Sequence, residues 1–165
     1  MSSERIEVDR IIPADPGAIF EVLRSPQGHV SIDSSGMLMW AEGEPANQVG
    51  DTFVVHMDRD ALRDFPLDLY DVTISFTRFE PDRAIEWTIL TDFLDPPLGH
   101  VYGYELEQTG EGTRVTSYYD WSALAEAYRG RINFPIISEA ALRATLGILA
   151  RTVAPKVPRP VPPKP

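Results

Sequence analysis

The chain has 165 residues, no cysteine and a formal net charge of −10. This length is typical of one domain, and the lack of cysteine excludes disulfides, thiolate catalysis and cysteine-based zinc sites. No apolar run reaches the roughly 18 residues that a membrane span needs, and the N-terminus lacks an apolar signal core. We therefore expect no stable membrane insertion and a cytoplasmic location. The acidic charge repels phosphate backbones, so no nucleic acid is expected as a partner.

The N-terminal segment predicts one strand followed by two short helices. Arg5–Ile12 alternates apolar and polar residues, as a half-buried strand does. Asp15 suits the cap and Pro16 the first position of a helix that ends before Pro26. A second short helix is predicted at about Gln27–Ile32.

Six further strands are predicted in the middle of the chain, separated by segments rich in the turn residues Gly, Pro and Asp. Strands that follow one another through hairpins form an antiparallel sheet, and the helices then lie together on one face. This is an α+β architecture. The predicted strands are Met37–Glu42, Asp51–Met57, Leu69–Phe79, Ala84–Thr91, His100–Gln108 and Arg114–Trp121.

A long amphipathic helix is predicted near Ile136–Val153. Its length of ~27 Å matches that of an eight-residue strand, so one helix can lie along the whole sheet. A curved sheet of about seven strands wrapped around this helix can leave an internal cavity. The proline-rich residues 155–165 predict a disordered tail, which leaves residues 1–154 as one domain.

The last two strands place polar rings on the face that turns inward. Side chains alternate along a strand, and these inner rows mix phenols, an imidazole and a hydroxyl with apolar groups, which is typical of a small-molecule pocket. A solid core whose polar groups find backbone partners is the alternative. On the long helix, the small Ala141 and Thr145 would leave room over the sheet, and Trp87 is either core or pocket wall. The candidate ligand-binding residues are Trp87, His100, Tyr102, Tyr104, Ser117, Tyr119, Trp121, Ala141, Thr145 and Ile148.

His100 is the candidate general base. Aldol cyclisation or dehydration needs a base to remove a proton and a donor to hold the enolate oxygen, roles that suit His100 and either Tyr102 or Tyr119. Polar anchors for a passively bound ligand would have the same pattern, and His100 would alternatively cap the end of its strand.

His29 and Asp33 lie four residues apart, on one face of the second helix. Such a pair raises the histidine pKa and fixes its tautomer, or it only stabilises the helix. His56 is predicted to face outward. The histidines are dispersed and no phosphate loop or dinucleotide fingerprint is present, so neither a metal nor a cofactor is predicted.

Several short segments follow one another along the chain in a recognisable order. They are Ala14-Asp15-Pro16 with Ile19-Phe20, Pro26 with His29 and Ile32-Asp33, Val49-Gly50-Asp51-Thr52-Phe53, Phe79-Glu80-Pro81-Asp82-Arg83 with Trp87, His100 with Tyr104, and Tyr119-Asp120-Trp121-Ser122. Taken in this order, they resemble the SRPBCC superfamily (START-like or Bet v 1-like) and its polyketide cyclase/dehydrase branch. The resemblance implies a helix-grip fold with an internal cavity, near whose mouth the short helix with His29 and Asp33 would lie. Members bind lipids, polyketides or other hydrophobic molecules, some catalyse cyclisation or dehydration, and related branches assist chaperones.

The sequence thus predicts a protein that binds a hydrophobic or aromatic small molecule, lipid-like or polyketide-like, in the cavity between sheet and helix. A cyclase or dehydratase that uses acid–base chemistry in the same cavity is the alternative. A chaperone-assisting interaction protein is a third hypothesis, and an exposed apolar patch would distinguish it. No pattern in the sequence indicates a particular protein partner.

Overall fold

The computed structural model describes residues 3–156 and 162–165, so residues 157–161 of the predicted tail lie outside the described residues. The element order is the one that the sequence predicts, with a short 3-10 helix in each of two loops, at Asp60–Leu62 and Glu126–Tyr128. Among the described helices, none has both the length and the apolar character that a membrane crossing needs. The main elements are β1 (Arg5–Ile12), α1 (Pro16–Arg24), α2 (Pro26–Ile32), β2 (Leu38–Glu42), β3 (Thr52–Asp58), β4 (Leu69–Glu80), β5 (Ala84–Leu90), β6 (Val101–Thr109), β7 (Gly112–Asp120) and α3 (Glu139–Val153).

The strands form one antiparallel sheet in the order β1-β7-β6-β5-β4-β3-β2. Sequential hairpins account for every neighbour except β1, which pairs with β7 and so brings the two ends of the domain together. The sheet is curved and α3 packs on its inner face, which confirms the predicted helix-grip fold with two short helices after the first strand.

Two predicted boundaries are displaced by two or more residues, each for a local reason. The last helix begins at Glu139 rather than Ile136, because the Ser138 side chain accepts a hydrogen bond from the Ala141 N–H and caps the helix there. The last hairpin is tighter than predicted, because Thr109 pairs directly with Gly112. Gly112 has a φ of 128°, a conformation that favours glycine.

The two short helices are fixed to each other by a close backbone approach. The Ser25 side chain accepts a hydrogen bond from the Gly28 N–H and caps α2. A Cβ at Gly28 would collide with the carbonyl oxygen of Val22 in α1, so the approach requires glycine. The buried stripe of α1 consists of the predicted Ile19, Phe20 and Leu23.

Helix α3 lies over one edge of the inner face of the sheet, the part formed by β1 and β7. Its buried residues Leu142, Leu146 and Leu149 face inward, and its main strand contacts are with β1 and β7. Helix α2 packs against α3 and β2. The inner face of the central strands β3 to β6 is therefore left partly uncovered between these helices.

Candidate functional site

A cavity of about 630 Å³ occupies the space between the central strands and helices α2 and α3. Its wall is mostly apolar, since the inner-face residues of β3, β4 and β5 alternate with outward polar ones. Exposed wall residues such as Leu62 mark the mouth, and the 7% exposed His29 lies at the enclosed side. The apolar wall includes Ile32, Val55, Met57, Val72, Ile74, Trp87, Ile89, Ile136, Ala141 and Leu142.

Aromatic rings form one side of this wall. Trp87 lies nearly parallel to Tyr102, with ring centroids 6.2 Å apart, and to Tyr104, at 5.9 Å. The His29 ring approaches Trp87 from α2 to a centroid distance of 4.5 Å. Such a wall offers flat contact area to a ring-shaped ligand.

The phenol groups of Tyr102 and Tyr104 supply polarity within this apolar wall. Burial raises the pKa of Tyr104 to about 12, against an opposing effect of Ser117 across the strand pair. Burial also raises the pKa of Tyr102 above its ordinary value. Both phenols stay protonated at neutral pH, so each hydroxyl can both donate and accept a hydrogen bond. The Tyr102 hydroxyl makes no hydrogen bond to a described residue.

His29 does not pair with Asp33 as the sequence predicted. Its Nε2 lies 2.7 Å from the Leu23 carbonyl oxygen at the end of α1. The Asp33 carboxylate accepts hydrogen bonds from Ser35 and the Leu38 N–H instead, because the chain leaves helical geometry at Asp33 and its side chain meets the loop that follows α2. Burial lowers the pKa of His29 to about 4, against the opposing effect of the Leu23 carbonyl. His29 is thus a neutral wall residue, while Asp33 also lines the cavity.

An ion pair between Arg59 and Asp64 lies at the mouth and was not predicted from the sequence. Two guanidinium nitrogens of Arg59 each lie 2.7 Å from a carboxylate oxygen of Asp64, and a third donates to the Tyr70 hydroxyl at 3.1 Å. Both charged residues line the cavity. The bond to Asp64 raises the pKa of Arg59 further above its ordinary value. The only sequence signal was an arginine flanked by acids in a polar loop, at positions 58–64.

His100 and Tyr119 pair with each other, and neither is among the wall residues of the described structure. His100 Nδ1 lies 2.6 Å from the Tyr119 hydroxyl, and burial lowers the pKa of His100 to about 4. The segment before α3 covers this end of the inner row. The Phe134 ring packs on His100 with ring centroids 6.4 Å apart, and on Trp121 with ring centroids 6.5 Å apart.

The predicted ligand-binding residues therefore divide into two groups. The Trp121 ring stacks on Phe134, and Ile148 lies on a later turn of α3 against the core. Both are outside the described wall, together with His100 and Tyr119. The predicted residues that the structure places in the wall are Trp87, Tyr102, Tyr104, Ser117, Ala141 and Thr145.

His56 lies on the outer face of the sheet, as its position in the alternation predicts. Its Nδ1 lies 2.6 Å from Asp71 and its Nε2 lies 2.8 Å from Glu42, and the ring stacks on Trp40 with centroids 3.8 Å apart. The bond to Glu42 contributes most to raising the pKa of His56. In the part of the chain that the structure describes, no group of three or more acidic or histidine residues is arranged to hold a metal ion.

Comparison with known proteins supports the fold and goes no further. No protein-family model matches the chain, and no curated protein matches it either. Among solved structures, the protein CV1439 from Chromobacterium violaceum is 14% identical with a TM-score of 0.65, over 93% of this chain and 99% of that one.

Two further similar structures carry a family name. The AHSA1-like protein from Aeromonas hydrophila is 17% identical with a TM-score of 0.58, over 90% of this chain and 91% of that one. The Aha1 dimer from Colwellia psychrerythraea is 18% identical with a TM-score of 0.61, over 93% and 98%. AHSA1-like proteins have the SRPBCC helix-grip fold, so the predicted resemblance is supported at the level of the fold, and the polyketide cyclase branch stays a prediction.

Proposed function

We propose that this protein binds a neutral hydrophobic or aromatic small molecule, lipid-like or polyketide-like, in the cavity between its central strands and helices α2 and α3. The observation that carries the proposal is the cavity of about 630 Å³ with an apolar wall and few polar groups. Cavities of roughly 300–1,000 Å³ with such walls suit ligands of drug size.

The charges of the wall support a neutral ligand. Arg59 is the basic residue of the described wall, and Asp64 neutralises it through two hydrogen bonds. Asp33 is a second acidic residue of the described wall. An anionic ligand would have to displace Asp64 from Arg59 and would then leave that carboxylate unpaired, which is unfavourable.

The mouth itself is apolar enough for such a ligand to enter. Leu62 lines the cavity and is 41% exposed, and Phe65 is 42% exposed beneath the Arg59 guanidinium at 4.9 Å. Apolar rim residues lower the cost of bringing an apolar molecule to the opening.

The geometry gives no support to a cyclase or dehydratase reaction through His100. Its ring is 2% exposed and is covered by Phe134, outside the described cavity wall. A general base must come within hydrogen-bond reach of the proton that it removes.

Two phenylalanine substitutions on α3 test the proposal. Ala141 lines the cavity, whereas the neighbouring Ala140 is exposed outside the described wall. Nile red, a neutral apolar fluorophore, should bind the unmodified chain, and Ala141→Phe should weaken binding by about tenfold or more because the new ring occupies the ligand's space. Ala140→Phe should leave the affinity within about twofold. Equal affinities for the two variants would contradict binding in this cavity.

A further inference from the structure

The imidazole of His29 has its two nitrogens in different surroundings. Nε2 lies 2.7 Å from the Leu23 carbonyl oxygen, which belongs to the last turn of α1. A carbonyl oxygen can only accept, so Nε2 carries the proton and donates it. In a neutral imidazole the other nitrogen, Nδ1, then has a free lone pair and can only accept.

Nδ1 is not fully enclosed by the described residues, and the cavity is the space that His29 borders. The His29 ring is part of the wall, and Nδ1 makes no hydrogen bond to a described residue. Among the described side chains, the unpaired polar atoms that are fully enclosed are Thr91 Oγ1 and His100 Nε2, and Nδ1 of His29 is not one of them. Its surroundings are otherwise aromatic, with the Phe53 ring at a centroid distance of 5.0 Å on one side and Trp87 at 4.5 Å on another.

From this geometry we infer that the ligand carries a hydroxyl on an apolar ring system, and that this hydroxyl donates to Nδ1 of His29. The inference rests on the proposed function and specifies its ligand as a neutral hydroxylated molecule, such as a phenol or a sterol-like alcohol. The tyrosine hydroxyls nearby both donate and accept, so they adapt to either kind of polar group. His29 only accepts, which makes it the residue that selects for a donor.

The selectivity has a simple physical origin. A ligand without a donor would fill the cavity and leave the Nδ1 lone pair buried and unpaired, which is unfavourable. Sites built to bond a hydroxyl reject analogues that lack it for this reason. The low pKa of His29, about 4 through burial, keeps the ring neutral and the lone pair available at physiological pH.

Binding of 2-naphthol and naphthalene, followed by their fluorescence, tests the inference. The preference for 2-naphthol over naphthalene should fall about tenfold in His29→Phe, the usual size of one buried hydrogen bond. His56→Phe is the matched control, because His56 lies on the outer face of the sheet, and it should keep the preference of the unmodified chain. The ratio of two affinities measured on one variant does not depend on the fraction of that variant that is folded.

If His29→Phe fails to fold, nuclear magnetic resonance on the unmodified chain tests the inference instead. Long-range proton–nitrogen spectra should show an unprotonated Nδ1 in His29, and its resonance should shift with 2-naphthol but far less with naphthalene. A protonated Nδ1, or an unchanged ligand preference in His29→Phe, overturns the inference and leaves the proposed function standing. If neither compound binds the unmodified chain, the proposed function and this inference both fail.

Discussion

Two histidines of this protein should give its stability opposite responses to pH. His29 is buried and its pKa falls from 6.5 to about 4, so between these values the unfolded chain binds a proton that the folded chain does not. The stability that neutral His29 contributes is therefore complete above pH 6.5 and is lost as the pH falls toward 4. His56 has a raised pKa, so its contribution is complete below pH 6.5 and is lost as the pH rises through its folded value.

The size of the His29 effect follows from its pKa. At about 1.4 kcal/mol per pKa unit, the full difference is worth roughly 3 kcal/mol, of which about 2 kcal/mol is lost between pH 7.5 and pH 5. Urea unfolding at both pH values measures it in the unmodified chain and in His29→Phe. The difference in unfolding free energy between the two should shrink by about 2 kcal/mol from pH 7.5 to pH 5, while carboxylate titrations largely cancel because both chains share them.

His56→Phe is the control of opposite sign. The difference in unfolding free energy between the unmodified chain and this variant should grow as the pH falls. A gap for His29→Phe that stays constant within about 0.5 kcal/mol would show that folding does not lower the pKa of His29, and would refute the assignment of His29 as a buried imidazole whose charged form is disfavoured.

Three further substitutions or deletions test the packing, all by unfolding measurements. Gly103→Ala should lower the free energy of unfolding by about 1–3 kcal/mol, because its Cβ would overlap the Tyr118 ring across the strand pair. The loss should be smaller when Tyr118→Ala is already present, and equal losses in both backgrounds would disprove that contact. Leu146→Asp should lower the free energy of unfolding by about 3 kcal/mol or more, because Leu146 is 1% exposed. Arg143→Ala, on the outer face of the helix, should lower it by about 0.5 kcal/mol. Similar losses for the two variants would contradict the orientation of α3. Removal of residues 157–165, which are rich in proline, should change the melting temperature by less than ~3 °C; a larger drop would show that the tail docks.

The fold could be predicted because its signals are local. Alternation in β6 and β7 places Tyr104 and Ser117 on one face, and the structure pairs these two residues directly across the strands. Proline and serine near residue 25 mark the break between the two short helices, where Ser25 caps the second.

The cavity wall was predicted only in part, because tertiary contacts decide which inward residues meet space. His100 and Tyr102 share one face of the last hairpin, but Phe134 reaches over His100 from the segment that precedes α3, and the alternation along the strand does not indicate this contact. The partner of His29 is a backbone carbonyl of the preceding helix, and no residue type signals such a bond. The spacing of four residues predicted a pairing of His29 with Asp33 instead, but Asp33 occupies the cap position at the end of α2.

The measurement that tests the central claim most directly is the location of a bound apolar ligand. Intermolecular nuclear Overhauser effects should be recorded between naphthalene and the methyl groups of the chain. The proposed function predicts contacts to the wall residues Val55, Ile74 and Leu142, and none to the exposed Leu69 and Val49 on the surface. Contacts confined to surface methyl groups, with no contact to the three wall residues, would contradict binding in the cavity.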